Sequence, residues 1–123
     1  MIAGIGLDIV ELDRIATLDE RSDKFRLRIL TKKELRLYET LSPNRKNEFL
    51  AGRFAAKEAF GKAKGTGIGR DCRFDQIEIL PEPSGKPILY FDGARVAGFV
   101  SITHTRTVAA AQVILTYSAN TAG

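Results

Sequence analysis

The chain has 123 residues, 44% of them hydrophobic and 28% charged, enough for one globular domain with its own core, and no apolar run approaches the roughly 20 residues needed to cross a bilayer. Nineteen Lys and Arg against fifteen Asp and Glu give a net charge of +4, which favours anionic partners and leaves nucleic acid, a nucleotide cofactor and an acidic protein open. With one cysteine, Cys72, and no charged start leading into an apolar stretch and a cleavage site, the expectation is a cytoplasmic protein without internal disulfides or membrane association.

Residues 1–10 alternate, with Ile5, Leu7 and Ile9 on one face and Gly4, Gly6 and Asp8 on the other. The pattern predicts a half-buried strand ending near Asp8, whose flanking glycines leave room around the acid. Residues 12–30 carry apolar positions at Leu12, Ile15, Leu18, Phe25 and Ile29 among many charges, which predicts two short helices. Thr31-Lys32-Lys33-Glu34 has capping-box spacing and opens a third. Ser42-Pro43 reads as an N-cap followed by proline at the first helical position, starting a long helix through about Lys64 that Gly65 should close. Apolar residues on several faces of that helix predict that it is covered on more than one side. Strands follow at 74–80 and 88–91 around a Ser84-Gly85 turn, then a final hairpin of 99–103 and 108–116. The expected fold is α+β, a single domain spanning 1–117 with a mainly antiparallel sheet packed on one long and several short helices. Residues 118–123 are expected to be a frayed tail.

Glu58 and Lys62 are four apart on the long helix and point the same way, with the glycines of 65–69 just beyond. That arrangement suits a metal-bound phosphate, and it equally suits an ordinary Glu-to-Lys surface pair before a helix stop. The glycines close a helix instead of following a strand, so neither a P-loop nor a Rossmann turn fits. Asp8 stands between capping the next helix and serving as a ligand. Two carboxylates without paired cysteines or a second histidine argue against zinc, and hard oxygen donors point to Mg²⁺. The basic run of Arg14, Arg21, Lys24 and Arg28, interleaved with Phe25, reads as a solvated face or as a docking surface for an acidic partner.

Three segments taken together carry a resemblance: Gly4-Ile5-Gly6-Leu7-Asp8-Ile9-Val10-Glu11, then Phe54-Ala55-Ala56-Lys57-Glu58-Ala59 running into Lys62-Ala63-Lys64-Gly65-Thr66-Gly67-Ile68, then Ser101-Ile102-Thr103-His104. In order and spacing the chain resembles the short bacterial 4′-phosphopantetheinyl transferases, the holo-acyl-carrier-protein synthase family, from residue 1 to about 117. The resemblance implies transfer of the 4′-phosphopantetheine arm of coenzyme A to a serine of apo acyl carrier protein, with release of adenosine 3′,5′-bisphosphate, in support of fatty acid synthesis. It implies a metal, Mg²⁺ with Mn²⁺ as alternative, on Asp8 and Glu58, and a catalytic role for Glu58 and Lys62. It also implies coenzyme A contacts from Arg45, Arg53, Lys62, Gly65, Thr66, Lys86, Pro87 and His104. The carrier would dock on Arg14, Arg21, Lys24, Phe25 and Arg28, and the family implies a homotrimer with sites between subunits. No nucleic acid partner is expected. The general base is open between a metal-bound water and Glu58. The competing class is a non-enzymatic RNA- or nucleotide-binding module, which has no need of the two carboxylates and usually shows an aromatic stacking surface. Within enzymes, the alternative is the broader transferase that modifies peptide-synthetase carriers.

Overall fold

Helix breakers set the frame. Pro43 opens and Gly65 closes a 22-residue helix, α4 (Pro43–Lys64), because proline at the first position forfeits no intrahelical bond and Gly65, at φ 86°, takes a left-handed conformation that side chains resist. The computed structural model describes residues 1–118; from residue 119 the expected tail lies outside the described residues. Upstream of α4 run β1 (Ile2–Glu11), α1 (Leu12–Arg21), α2 (Lys24–Ile29) and α3 (Lys32–Glu39). The capping box of Thr31 and Glu34 forms at the start of α3 as its spacing implies. Downstream run β2 (Ile77–Pro81), β3 (Pro87–Phe91), β4 (Ala94–Arg95), β5 (Gly98–His104) and β6 (Val108–Thr116).

Two antiparallel three-stranded sheets result, ordered β1-β6-β5 and β2-β3-β4. The strand expected from Phe74 begins only at Ile77, because Phe74–Gln76 forms a short 3₁₀ helix in which the Gln76 side chain accepts from the Arg73 amide. Strand β4 was not foreseen. It follows a tight turn in which Asp92 (φ 51°) and Gly93 (φ 81°) both adopt positive φ, the geometry that reverses two twisted strands.

Helix α4 lies across the inner face of the first sheet, touching all three of its strands, and α1, α2 and α3 close over it. Leu50, Ala51, Ala55, Ala56 and Ala59 are therefore fully buried. The apolar residues around α4 are covered by the chain itself, which removes them as support for a subunit interface.

Strand β1 packs the other way round from ordinary alternation. Gly6 and Val10 are buried, whereas Ile5, Leu7 and Ile9 are 55%, 61% and 65% exposed. A Cβ on Gly4 or Gly6 would overlap the carbonyl of Ala63 or Ala59, so the glycines let strand and helix backbones touch. The aliphatic row instead faces outward, where Ile5 aligns across the sheet with Ile114 and Phe99.

One buried ion pair ties the helical layer together. Lys57, wholly buried on α4, donates to Glu34 Oε1 at 2.7 Å and to the carbonyls of Ile29 at 2.6 Å and Phe74 at 3.2 Å. Glu34 also accepts from the amides of Thr31 and Ile79. Burial pushes the Lys57 ammonium below its usual range, and the adjacent Glu34 carboxylate opposes that shift. Every member of this cluster has partners, as a buried charge requires.

Candidate active site

Two groups of polar side chains stand at opposite edges of the β1-β6-β5 sheet, each joined by residues of α4. On the β1 flank, Lys62 Nζ lies 3.0 Å from Asp8 Oδ1 and 3.0 Å from the Leu7 carbonyl. Asp8 does not cap α1: the strand continues to Glu11, which holds the N-cap position. Glu58 sits one turn before Lys62, close enough to Asp8 for their charges to oppose each other. Burial first, and the negative charge of Asp8 second, push the Glu58 carboxyl above its ordinary range, while Lys62, Arg14 and Arg28 pull the other way. The three residues singled out on this flank thus come together, with Lys62 side chain 53% exposed and free to re-aim.

On the β5 flank a recess of about 280 Å³ is lined by Arg45, Arg53, Pro87 and His104, with Glu48, Phe49, Gly52 and Ile102. Four of the eight residues expected at coenzyme A gather here. His104 Nε2 lies 3.2 Å from Glu48 Oε2, and the same residue's Oε1 is 3.8 Å from Arg45 Nε. Glu48 was absent from the sequence reading, although it falls three residues after Arg45 on the same helical face. Arg53 stacks over Phe49 with its guanidinium carbon 4.2 Å from the ring centroid, and its Nε is buried without a hydrogen-bond partner among the described residues. Burial pushes this guanidinium below its usual range, with Glu34 opposing. An arginine short of acceptors next to a recess is prepared for an anion.

The remaining expected contacts do not join that recess. Gly65 and Thr66 lie past the end of α4, near Lys62, where the Gly67 amide folds back to the Gly61 carbonyl. Lys86 points outward over the ring of Phe99, 5.8 Å from its centroid. Glu48 and Lys62 are separated by fourteen helical positions, roughly 20 Å at 1.5 Å per residue. Across the sheet, Asp8 and Ile102 occupy the two ends of one row with Ala111 between them, roughly 10 Å for two strand spacings. One chain therefore presents two half-sites at the two edges of one sheet.

The expected carrier surface is laid out along α1 and α2. Arg14, Arg21, Lys24 and Arg28 are exposed and Phe25 is half-buried against Phe54, with ring centroids 5.7 Å apart. Cys72 is fully buried, and burial pushes its thiol up, which suits a packing role. No group of three or more His, Cys, Asp or Glu placed to hold a metal occurs among the described residues, so any ion here rests on two carboxylates.

A family model described as the 4′-phosphopantetheinyl transferase superfamily matches residues 4–117. A holo-[acyl-carrier-protein] synthase of Bacillus subtilis is 59% identical over 116 residues, covering 94% of this chain and 96% of its own length. Among solved structures, a holo-(acyl-carrier-protein) synthase from Bacillus anthracis in complex with CoA (3′,5′-ADP) superposes with a TM-score of 0.85 at 48% identity, over 96% of this chain and 99% of that one. The Neisseria meningitidis holo-[acyl-carrier-protein] synthase gives a TM-score of 0.85 at 36% identity, over 95% and 100%. With the family matched across nearly the whole chain and relatives this similar along their full length, the chain belongs to the 4′-phosphopantetheinyl transferase superfamily and to its holo-[acyl-carrier-protein] synthase branch.

Proposed function

We propose that the chain moves the 4′-phosphopantetheine arm of coenzyme A onto a serine of apo acyl carrier protein, releasing adenosine 3′,5′-bisphosphate, as a cytoplasmic step supporting fatty acid synthesis. The observation that carries this reading is the Asp8, Glu58 and Lys62 group, with Glu58 held against its own burial and the charge of Asp8. Two crowded carboxylates with hard oxygen donors fit a divalent cation, Mg²⁺ or Mn²⁺, which commonly takes one or two carboxylates and fills its shell with water and phosphate oxygens. Bound there, the ion supplies positive charge against the pyrophosphate.

The chain's own residues supply the rest. Lys62 releases Asp8 and turns its ammonium to the pyrophosphate, a movement its exposed four-carbon stem permits. Arg45, Arg53 and His104 meet the ribose phosphate, and the unsatisfied Arg53 Nε gains an acceptor. The carrier serine forms the new bond to the phosphorus bearing pantetheine, the bond from that phosphorus to the adenosine 3′,5′-bisphosphate oxygen breaks, and the serine proton leaves. Glu58, with its raised proton affinity, is the chain's own candidate to accept it.

The ribose phosphate and the pyrophosphate of one coenzyme A are separated by only a handful of bonds, whereas within one chain the residues that would hold them stand at opposite edges of the β1-β6-β5 sheet, roughly 10 Å apart across its strands. A partner copy that places its β5 flank against the β1 flank of its neighbour brings the two half-sites together, and three copies closed head to tail would form the homotrimer that the family resemblance implies. The outward row of Ile5, Leu7, Ile9 and Phe99 offers the apolar area for that assembly. Mass spectrometry of apo acyl carrier protein incubated with the chain, coenzyme A and Mg²⁺ should show the phosphopantetheine mass gain, and chelation should abolish it. Transfer at the full rate in chelated enzyme would remove the metal from the reading.

A further inference from the structure

The recess on the β5 flank holds one acid among its cations: Glu48 stands between Arg45 and His104. A carboxylate next to a phosphate opposes its binding, unless it acts on the phosphate through the cations themselves. The backbone brings it there. Helix α4 meets β5 at Gly52, where an added Cβ would stand 2.9 Å from Ile102 Cγ2. Glu48 lies one helical turn before Gly52, and His104 lies two strand residues after Ile102, so each shares a face with its neighbour. The glycine contact thereby places His104 Nε2 3.2 Å from Glu48 Oε2. Arg45, three residues earlier on the same helix face, has its Nε 3.8 Å from Glu48 Oε1.

The atoms used in these two contacts leave the others available. His104 faces Glu48 with Nε2, and its Nδ1 makes no hydrogen bond among the described residues. Arg45 turns Nε to the carboxylate, and its two terminal nitrogens are likewise without a partner there. Each cation thus keeps donors that a phosphate can take while Glu48 holds it. The side chains of Arg45 and His104 are 64% and 42% exposed and pair with no other acid among the described residues. Without Glu48 both would sample many rotamers. Arg53 needs no such tether, because burial and the ring of Phe49, 4.2 Å from its guanidinium carbon, already fix it.

We propose that Glu48 is a positioning residue for the ribose phosphate of coenzyme A: it tethers Arg45 and His104 in the recess, so the ligand meets two preset cations instead of two mobile ones. The inference rests on the coenzyme A reading above. Two arginines against one carboxylate keep the recess positive whatever charge the histidine carries, so the phosphate binds without displacing Glu48. Glu48 touches none of Asp8, Glu58 and Lys62, which stand at the other edge of the sheet, and its influence is therefore on donor affinity and on the choice between donors with and without that phosphate.

The test is calorimetry of coenzyme A and of 3′-dephospho-coenzyme A, which lacks only the ribose phosphate, on the full chain and on Glu48→Gln, with transfer kinetics alongside. The amide keeps the size of the side chain and removes its charge. The variant should bind coenzyme A about tenfold more weakly, bind the dephospho form within about twofold of the parent, and show its loss in the coenzyme A KM with kcat unchanged. In a His104→Ala background, Glu48→Gln should cost about threefold or less, because one of the two tethered cations is gone. Equal losses for both donors would mean a general structural role, and tighter coenzyme A binding would mean a counter-charge that opposes the phosphate. Either result overturns the positioning role, as does unchanged affinity. A parent chain that binds both donors equally well overturns the placement of the ribose phosphate in this recess and the role of Glu48 with it. Absence of a phosphopantetheine mass gain with the parent chain overturns the transfer reading, while the calorimetric comparison still decides the role of Glu48.

Discussion

Lys57→Met isolates the energetic weight of the buried ion pair. Methionine nearly preserves the volume of the lysine stem, so no large cavity opens, but the ammonium and its three donations vanish. Glu34 keeps two amide donors, from Thr31 and Ile79, and loses its countercharge in a site with no solvent exposure. The carbonyls of Ile29 and Phe74 lose their lysine donor at the same time. Breaking one side of a buried pair costs about 3 to 5 kcal/mol, which outweighs the gain of about 1 kcal/mol from burying an apolar tip. For a chain of this size that loss corresponds to a fall in Tm of roughly 12 to 20 °C. Urea titration at fixed protein concentration, with Glu34→Gln and the double variant completing the cycle, should return a coupling above about 1 kcal/mol. A Lys57→Met protein within about 1 kcal/mol of the parent, or single-variant losses that simply add, would refute the view that this pair braces α2, α3 and β2 against α4.

Other perturbations read other parts of the molecule. Glu58→Gln should lower transfer by about 10²-fold, the scale of losing one charge-stabilising group. It should also stabilise the fold at neutral pH, because a carboxyl raised by burial and by Asp8 binds its proton more tightly folded than unfolded, so its contribution is complete in acid and lost as pH rises through the folded value. Thermal melts across pH should therefore show the variant's advantage shrinking toward acid, and an advantage constant with pH would contradict this. Gly6→Ala forces a Cβ into the Ala59 carbonyl and should cost about 2 kcal/mol or more, whereas Gly69→Ala, with nothing within 4 Å, should melt within about 0.5 kcal/mol of the parent. Leu7→Glu, at a residue 61% exposed in the chain, should leave the monomer fold intact and abolish both assembly in sedimentation and transfer. A fully assembled Leu7→Glu protein would exclude the outward face of β1 from the interface.

Local chemistry was the legible part. The capping box at Thr31, the proline start at Pro43 and the left-handed stop at Gly65 depend only on neighbours in sequence, and all three stand where the spacing places them. The proximity of Asp8 to Glu58 and Lys62 followed from the family resemblance. The inward face of β1 was not legible, because alternation reveals two faces without saying which one meets the helix. The Lys57 to Glu34 pair joins residues 23 positions apart, and nothing in either local pattern marks a charge as buried. Glu48 was within reach as a neighbour of Arg45, yet its partner His104 comes from a strand whose position depends on the sheet order.

The contact of β1 with α4 at Gly4 and Gly6 is made by main chain against main chain. The offset between the strand that carries Asp8 and the helix that carries Glu58 is thus fixed by peptide geometry, with no side-chain volume acting as spacer. Aliphatic replacements elsewhere in the interior shift their own neighbours by fractions of an ångström, and reach this distance only through the main chain. The arrangement gives the acidic pair a ruler independent of core composition. Replacements at Leu50 or Ile15 leave this contact made by the same backbone atoms, while one methyl group at Gly6 would press the strand that carries Asp8 off the helix that carries Glu58.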